Sequence, residues 1–165
     1  NFAFGSMSDG HKELEQLVAN PPKNLLFTGL IDRDKMPQIY QMGDVMLLPS
    51  YDELFPMTVL EAMACGIPIL LRDLDLYTVI LDGYYCKAHD NDGFVQQLLQ
   101  LSTDRDYYEK ALQMSREGNF FYSEEHVLSM WRAFYHQVME ESIRKQEAMR
   151  RPFKRMKELA TGGTR

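Results

Sequence analysis

Short apolar runs alternate with amphipathic stretches along the first 90 residues. Phe2-Ala3-Phe4-Gly5 reads as the end of a buried strand, and beyond a Gly/Ser/Asp loop the segment His11 to Ala19 sets Leu14, Leu17 and Val18 at helical spacing. Pro21-Pro22 stops that helix. Asn24 to Gly29 is a second apolar run closed by glycine, and Asp32-Arg33-Asp34 can start a helix that carries Met36, Ile39 and Tyr40. Val45 to Leu48 then ends at Pro49-Ser50, a loop runs to Phe55, a helix covers about Met57 to Ala64, and Gly66 closes it before the strand Pro68 to Leu71. Strands and helices that alternate over such short links predict an α/β fold, a Rossmann-like parallel sheet with helices on both faces.

Past residue 92 the pattern becomes helical, over Gly93 to Leu101, Tyr107 to Glu117 and Glu125 to about Arg150. In the last of these Val127, Met130, Trp131, Phe134, Tyr135 and Val138 form an apolar stripe, which the helical period alone reads as packing surface. Beyond Pro152 the chain reads as frayed. Charge divides it more sharply than periodicity does. Residues 1–143 hold 10 Lys/Arg against 22 Asp/Glu, a net of −12, whereas residues 144–165 hold 8 against 2, a net of +6. The expected organisation is a Rossmann-like α/β unit over 1–143 and a basic tail over 144–165.

Composition then narrows the classes. A chain of 165 residues with 45% hydrophobic content can bury a single domain's core. No apolar run approaches the roughly 18 residues of a membrane span, and the amino terminus has neither a basic region nor a long apolar one, so the expectation is a cytoplasmic protein unless something attaches it to a membrane. Cys65 and Cys86 fit neither a disulfide framework nor zinc spacing, and His11, His89, His126 and His136 are scattered, so no metal is expected. A strongly acidic body also disfavours nucleic acid.

The stretch that carries chemistry runs from Pro49 to Pro68. It follows a buried strand and therefore lies at the carboxyl edge of the sheet, where open α/β folds bind ligands. Glu53 falls in the loop and Glu61 about one turn into the following helix, so both can face one cleft. Between them the helix begins near Pro56, leaving the amides of Met57, Thr58 and Val59 without intrahelical acceptors. Such an end favours an anion. Two carboxylates would repel a phosphate they touched, so their work is to accept hydrogen bonds from hydroxyls on either side of it. A nucleotide sugar has that layout of ribose, diphosphate and hexose. By themselves two glutamates at this spacing are more often a pair of solvated helix and loop charges.

The surrounding residues change that balance. Pro49-Ser50, Glu53, Phe55, Glu61-Ala62-Met63-Ala64, Gly66 and Pro68 together resemble the paired-glutamate signature of retaining glycosyltransferases of the GT-B fold, in particular the large GT4 family. Asn24 to Gly29 and Tyr40 to Asp44 resemble the strand and helix that precede it. The likeness covers about residues 1–100. It implies that Glu61 hydrogen-bonds the ribose hydroxyls and that Glu53, the carboxylate nominated for the catalytic centre, meets the donor sugar. It also implies that backbone groups at Phe55, Pro56, Met57 and Thr58, beside Ser50, contact sugar and diphosphate, and that Gly29, Leu30 and Ile31 contact the base. Pro56 departs from the family's usual glycine and removes an N–H beside the sugar.

On the same resemblance the first strand and phosphate loop of the donor domain, and the whole amino-terminal acceptor domain, are expected to be missing from this chain. It would then bind a nucleotide weakly and transfer nothing alone. Glu-Leu-Phe-Pro-Met-Thr with Leu70 to Tyr77 is similar to a branch from Gram-positive bacteria that glucosylates diacylglycerol, which implies UDP-glucose as donor and no cofactor. Arg72, Asp73, Asp75 and Tyr77 either reach the cleft or cap the next helix. Residues 144–157 interleave seven cations with Met149, Phe153 and Met156, which suits an anionic membrane surface and equally a solvated helix end. Other acceptors, a polysaccharide or a protein, and a non-catalytic Rossmann-like interaction module remain alternatives.

Overall fold

Ile69, Leu70 and Leu71 set the layers of the molecule, because successive strand side chains point to opposite faces and all three are fully buried. The computed structural model describes residues 10–161. In chain order these are α1 (Gly10–Ala19), a single 3₁₀ turn (Arg33–Lys35), α2 (Met36–Gln41), β1 (Met46–Leu48), α3 (Met57–Ala64), β2 (Ile69–Arg72), α4 (Asp75–Ile80) and β3 (Cys86–Ala88). Three helices follow: α5 (Asn91–Thr103), α6 (Arg105–Phe121) and α7 (Glu124–Thr161). The strands form one parallel sheet in the order β1-β2-β3, with Met46 opposite Ile69 and Leu70 opposite Cys86.

Ile69 and Leu71 face Val59, Ala62 and Met63 of α3 together with Tyr77 of α4. Leu70 faces the other way, into Cys86, Ala88, Phe94 and Leu101, with Ala111 of α6. Two apolar layers on one short sheet therefore account for the continuous apolar reading of β2, and each fully buried side chain of this size contributes roughly 1.5–3 kcal/mol. Asp90 caps α5 by accepting from the Gly93 amide at 2.7 Å, and Asp104 caps α6 from Tyr107 at 3.0 Å. Ser115 Oγ ties α6 to the strand entry by donating to the Ile67 carbonyl at 2.7 Å.

Helix α3 ends where the sequence says it must. Gly66 takes φ +73°, its amide bonds Met63 O at 2.9 Å, and the Ile67 amide reaches back to Ala62 O at 3.4 Å. That paired closure satisfies the last carbonyls and needs a left-handed residue, which glycine supplies without strain.

Three expectations need correction. Asn24 to Gly29 does not form a strand: Leu25 amide closes a turn on Pro22 O at 2.9 Å, Leu26 is exposed, and among the described residues only β2 pairs with β1. An apolar run becomes a strand only where a ladder partner takes its backbone groups. The strand read at Phe2 to Gly5 lies outside the described residues. Conversely β3, with Lys87 at its centre and only three residues long, was too short and too mixed to announce itself. Finally α7 continues through Pro152 to Thr161, although an interior proline costs about 3 kcal/mol. Lys154 to Ala160 are nearly all strong helix formers, and they resume the helix behind it. Among the described residues no helix is long and apolar enough to cross a membrane.

Candidate functional site

The carboxyl edge of the sheet is held together by one buried cation. Arg72, the last residue of β2, donates from Nε to Pro49 O at 3.0 Å, from Nη2 to Asn91 Oδ1 at 3.1 Å and from Nη1 to His89 O at 3.4 Å. Its guanidinium also lies 3.9 Å from the centroid of the Tyr51 ring and 5.2 Å from that of Phe94. One side chain thus joins the loop after β1 to the loop after β3. Arg72 neither reaches into an open cleft nor caps α4, the two roles its position in the sequence suggested. Asp73 pairs with His89 Nδ1 at 3.2 Å, and Asp75 sits in the first turn of α4 without capping it.

The loop so anchored carries Ser50 and Glu53, both half-buried, to the start of α3. Tyr77 lies beneath this region, wholly buried and edge-on to Tyr85 at 5.6 Å, with a hydroxyl that has no protein partner. Burial, and secondarily the nearby Glu53 charge, pushes its phenol up to about 12. Tyr77 is therefore a core residue that senses Glu53 from below rather than a cleft residue. Phe55 is partly exposed and rests edge-on against Tyr122 at 6.1 Å.

Pro56 is the buried residue that precedes α3, and its carbonyl accepts the Val59 amide at 2.9 Å. Of the three amides expected to be unpaired, Val59 is therefore engaged, which leaves those of Met57 and Thr58 as the open donors of the helix start. Both residues are exposed. No acidic side chain occupies the first turn, so the positive end of the helix is uncompensated locally.

Glu61 stands one turn further on, exposed, and its Oε2 accepts the Tyr40 phenol at 2.8 Å. The Tyr40 ring packs against the core cluster, and burial first, then Glu61, raises its ionisation so that it remains a donor. Beside the pair opens a cavity of about 270 Å³ lined by Arg33, Met36, Pro37, Tyr40, Glu61, Ala64 and Cys65. Gly29 (φ +69°), Leu30 and Ile31 lead into the Arg33 turn that supplies one wall. No hydrogen bond joins these three to Glu61.

The structure thus brings Glu61 to α2, brings Glu53 over Tyr77, and places the α3 amides between the two along the chain. Tyr40, Arg33, Cys65 and Arg72 were not assigned these positions from the sequence. The one available signal was Tyr40 itself, a polar tip on the apolar face shared with Met36 and Ile39, which needs a partner when buried. Cys65 and Cys86 are both free, and burial raises the Cys86 thiol.

A family model described as glycosyl transferases group 1 matches residues 3–104, the span that holds the sheet, the Glu53 loop and α3. The chain belongs to this family. It is 46% identical over 138 residues to an alpha-galactosylglucosyldiacylglycerol synthase of Streptococcus pneumoniae, covering 81% of this chain and 36% of that protein. Over 131 residues it is 30% identical to an N-acetyl-alpha-D-glucosaminyl L-malate synthase of Bacillus anthracis, covering 75% of this chain and 34% of that protein. The chain therefore spans about a third of the length of these relatives. Among solved structures, sucrose-phosphate synthase from Thermosynechococcus elongatus superposes with a TM-score of 0.63 at 21% identity, covering 80% of this chain and 35% of that one. At that identity the likeness is one of fold, and it places this chain among GT-B proteins.

Proposed function

We propose that this chain is the nucleotide-sugar-binding part of a retaining glycosyltransferase that moves a hexose from UDP-glucose to a diacylglycerol-type membrane lipid. The observation that carries the reading is Glu61, one turn into α3 and held by Tyr40, beyond a helix start whose Met57 and Thr58 amides are open. A carboxylate presented this way accepts hydrogen bonds from a vicinal diol, as in ribose, while the helix start receives the diphosphate. Transfer passes through a cation-like sugar centre, so stabilising the departing diphosphate lowers the barrier. Glu53, on the loop fixed by Arg72, is the carboxylate available to the donor hexose. Gly29 to Ile31 are the backbone assigned to the base.

Support for the lipid acceptor is the similarity to the streptococcal glycolipid synthase together with the charge division of the chain. Seven cations between residues 144 and 157 lie on the far end of α7, and each near an anionic surface contributes on the order of 1 kcal/mol. The protein is then peripheral on the cytoplasmic face, and an acceptor-binding domain outside this chain completes the enzyme.

The test is a thermal shift of the chain with UDP, UDP-glucose, GDP-mannose and ADP-glucose at millimolar concentration, since a ligand that binds only the native state raises its stability. A UDP-selective rise that is much reduced in Glu61→Ala is expected. A rise of equal size with every nucleotide refutes UDP selectivity, and no rise with any refutes a donor site in this chain. Vesicles containing anionic lipid serve as the second arm: binding should disappear when residues 144–165 are deleted, and binding that survives the deletion refutes the role of the tail.

A further inference from the structure

We infer that Tyr40 is a positioning residue for the nucleotide, one whose phenol locks the Glu61 carboxylate in the orientation that meets the ribose diol. The inference rests on the donor-site reading above and extends it to a residue on a different helix. Tyr40 lies on α2, 21 residues before Glu61 on α3, and its O–H donates to Oε2 at 2.8 Å. Glu61 is exposed and belongs to a residue type with many rotamers, so without a partner its carboxylate would sample several directions. Tyr40 has no such freedom, because its ring packs against the core formed by Val59, Ala62 and Met63. A fixed donor on a mobile acceptor freezes the acceptor.

The consequence is directional. With Oε2 engaged from the α2 side, Oε1 keeps its full accepting capacity, and one site on Oε2 also stays open, which is what two adjacent hydroxyls require. Both groups line the same cavity, together with Arg33 and Met36, so the oriented carboxylate is at the wall of an open space and not sealed inside the protein. A tether that served only to join α2 to α3 would not need its acceptor at the edge of a cavity.

The experiment is a calorimetric titration of the chain and its variants with UDP, GDP and ADP, followed by the 2′,3′-dideoxy form of whichever binds. Tyr40→Phe keeps the ring and removes the donor. It should weaken the ribonucleotide about three- to tenfold, the range of one hydrogen bond, and leave the dideoxy form unchanged. In a Glu61→Ala background the same substitution should have no further effect. An equal loss with the dideoxy nucleotide, a persistent loss without Glu61, or no loss at all overturns the proposal even where the parent chain binds through Glu61. Failure of the parent chain to bind any nucleotide overturns the donor-site reading itself, and this proposal with it. The melting temperature without nucleotide separates a mere tether, which lowers it while leaving the ratio of ribo to dideoxy affinity as it was.

Discussion

Helices α3 and α7 carry equally plain apolar stripes and meet opposite fates. In α3 the stripe of Val59, Ala62 and Met63 is buried essentially completely between the sheet and α6. In α7 the first turn is anchored, with His126 against the rings of Phe120 and Phe121, and beyond it Trp131, Phe134 and Tyr135 are about half exposed and meet one another. A stripe of one period thus records that a helix has a side meant for contact, and says nothing about what supplies the contact. α3 is enclosed because β2 and α6 lie within this chain. The difference is testable by substitution, because the same kind of deletion should cost several-fold more in one helix than in the other.

The largest effect belongs to Met63. Its sulfur lies where a side chain on Gly118 would have to go, only 2.8 Å from an added Cβ, so Met63 fills the close approach of α6 to α3. Met63→Ala leaves a cavity there that a glycine cannot fill, and a loss of about 2–5 kcal/mol is expected in chemical denaturation. A loss below about 1 kcal/mol would show that α6 collapses onto α3, and the contrast between the helices would then be one of flexibility and not of enclosure.

An intermediate effect tests the same enclosed layer by charge. Burial raises Tyr77 and Tyr85 from 10 to about 12. In the unfolded chain these phenols ionise near 10, so between pH 10 and 12 the unfolded state has lost protons that the folded state keeps. Stability present below pH 10 therefore falls as pH rises through 12, by on the order of 2 kcal/mol for each group. Tyr77→Phe should remove only its own share of the alkaline loss, since Tyr85, Tyr40 and Tyr107 are raised as well. At pH 7 it should be neutral or slightly stabilising, because the deleted hydroxyl has no protein partner. A cost above about 2 kcal/mol at pH 7 would show that the hydroxyl is satisfied in solution.

What the sequence disclosed follows from the range of each interaction. The α3 segment was legible end to end, since a proline start, a glycine stop and the apolar period are all local, and Gly66 adopts the left-handed conformation its position requires. The places of Glu53 in the loop before α3 and of Glu61 within it were legible in the same way. Tyr40 and Arg72 were not, because their partners lie 21 and up to 23 residues away and depend on which loops the sheet brings side by side. Arg72 in particular reads as a loop cation, whereas its buried guanidinium is satisfied by two carbonyls, an amide oxygen and two rings without any carboxylate. The failed strand at Asn24 to Gly29 is the converse case, a correct local pattern without a ladder.

The smallest expected effect closes the comparison from the exposed side. Trp131 is the largest residue of the α7 stripe, 51% exposed, stacked on Tyr135 at 5.7 Å and edge-on to Phe134 at 6.0 Å. Those neighbours belong to its own helix, so Trp131→Ala removes contacts that a solvated helix keeps only weakly, and a loss of about 1 kcal/mol or less is expected. Size alone predicts the reverse order, since tryptophan carries more apolar area than methionine. The decisive quantity is area removed from water, and Met63 has given up nearly all of its own. Should Trp131→Ala cost as much as Met63→Ala, the α7 stripe must be covered in solution. A melting temperature that rises with protein concentration in the parent and not in the variant would then identify a second copy of the chain as the cover.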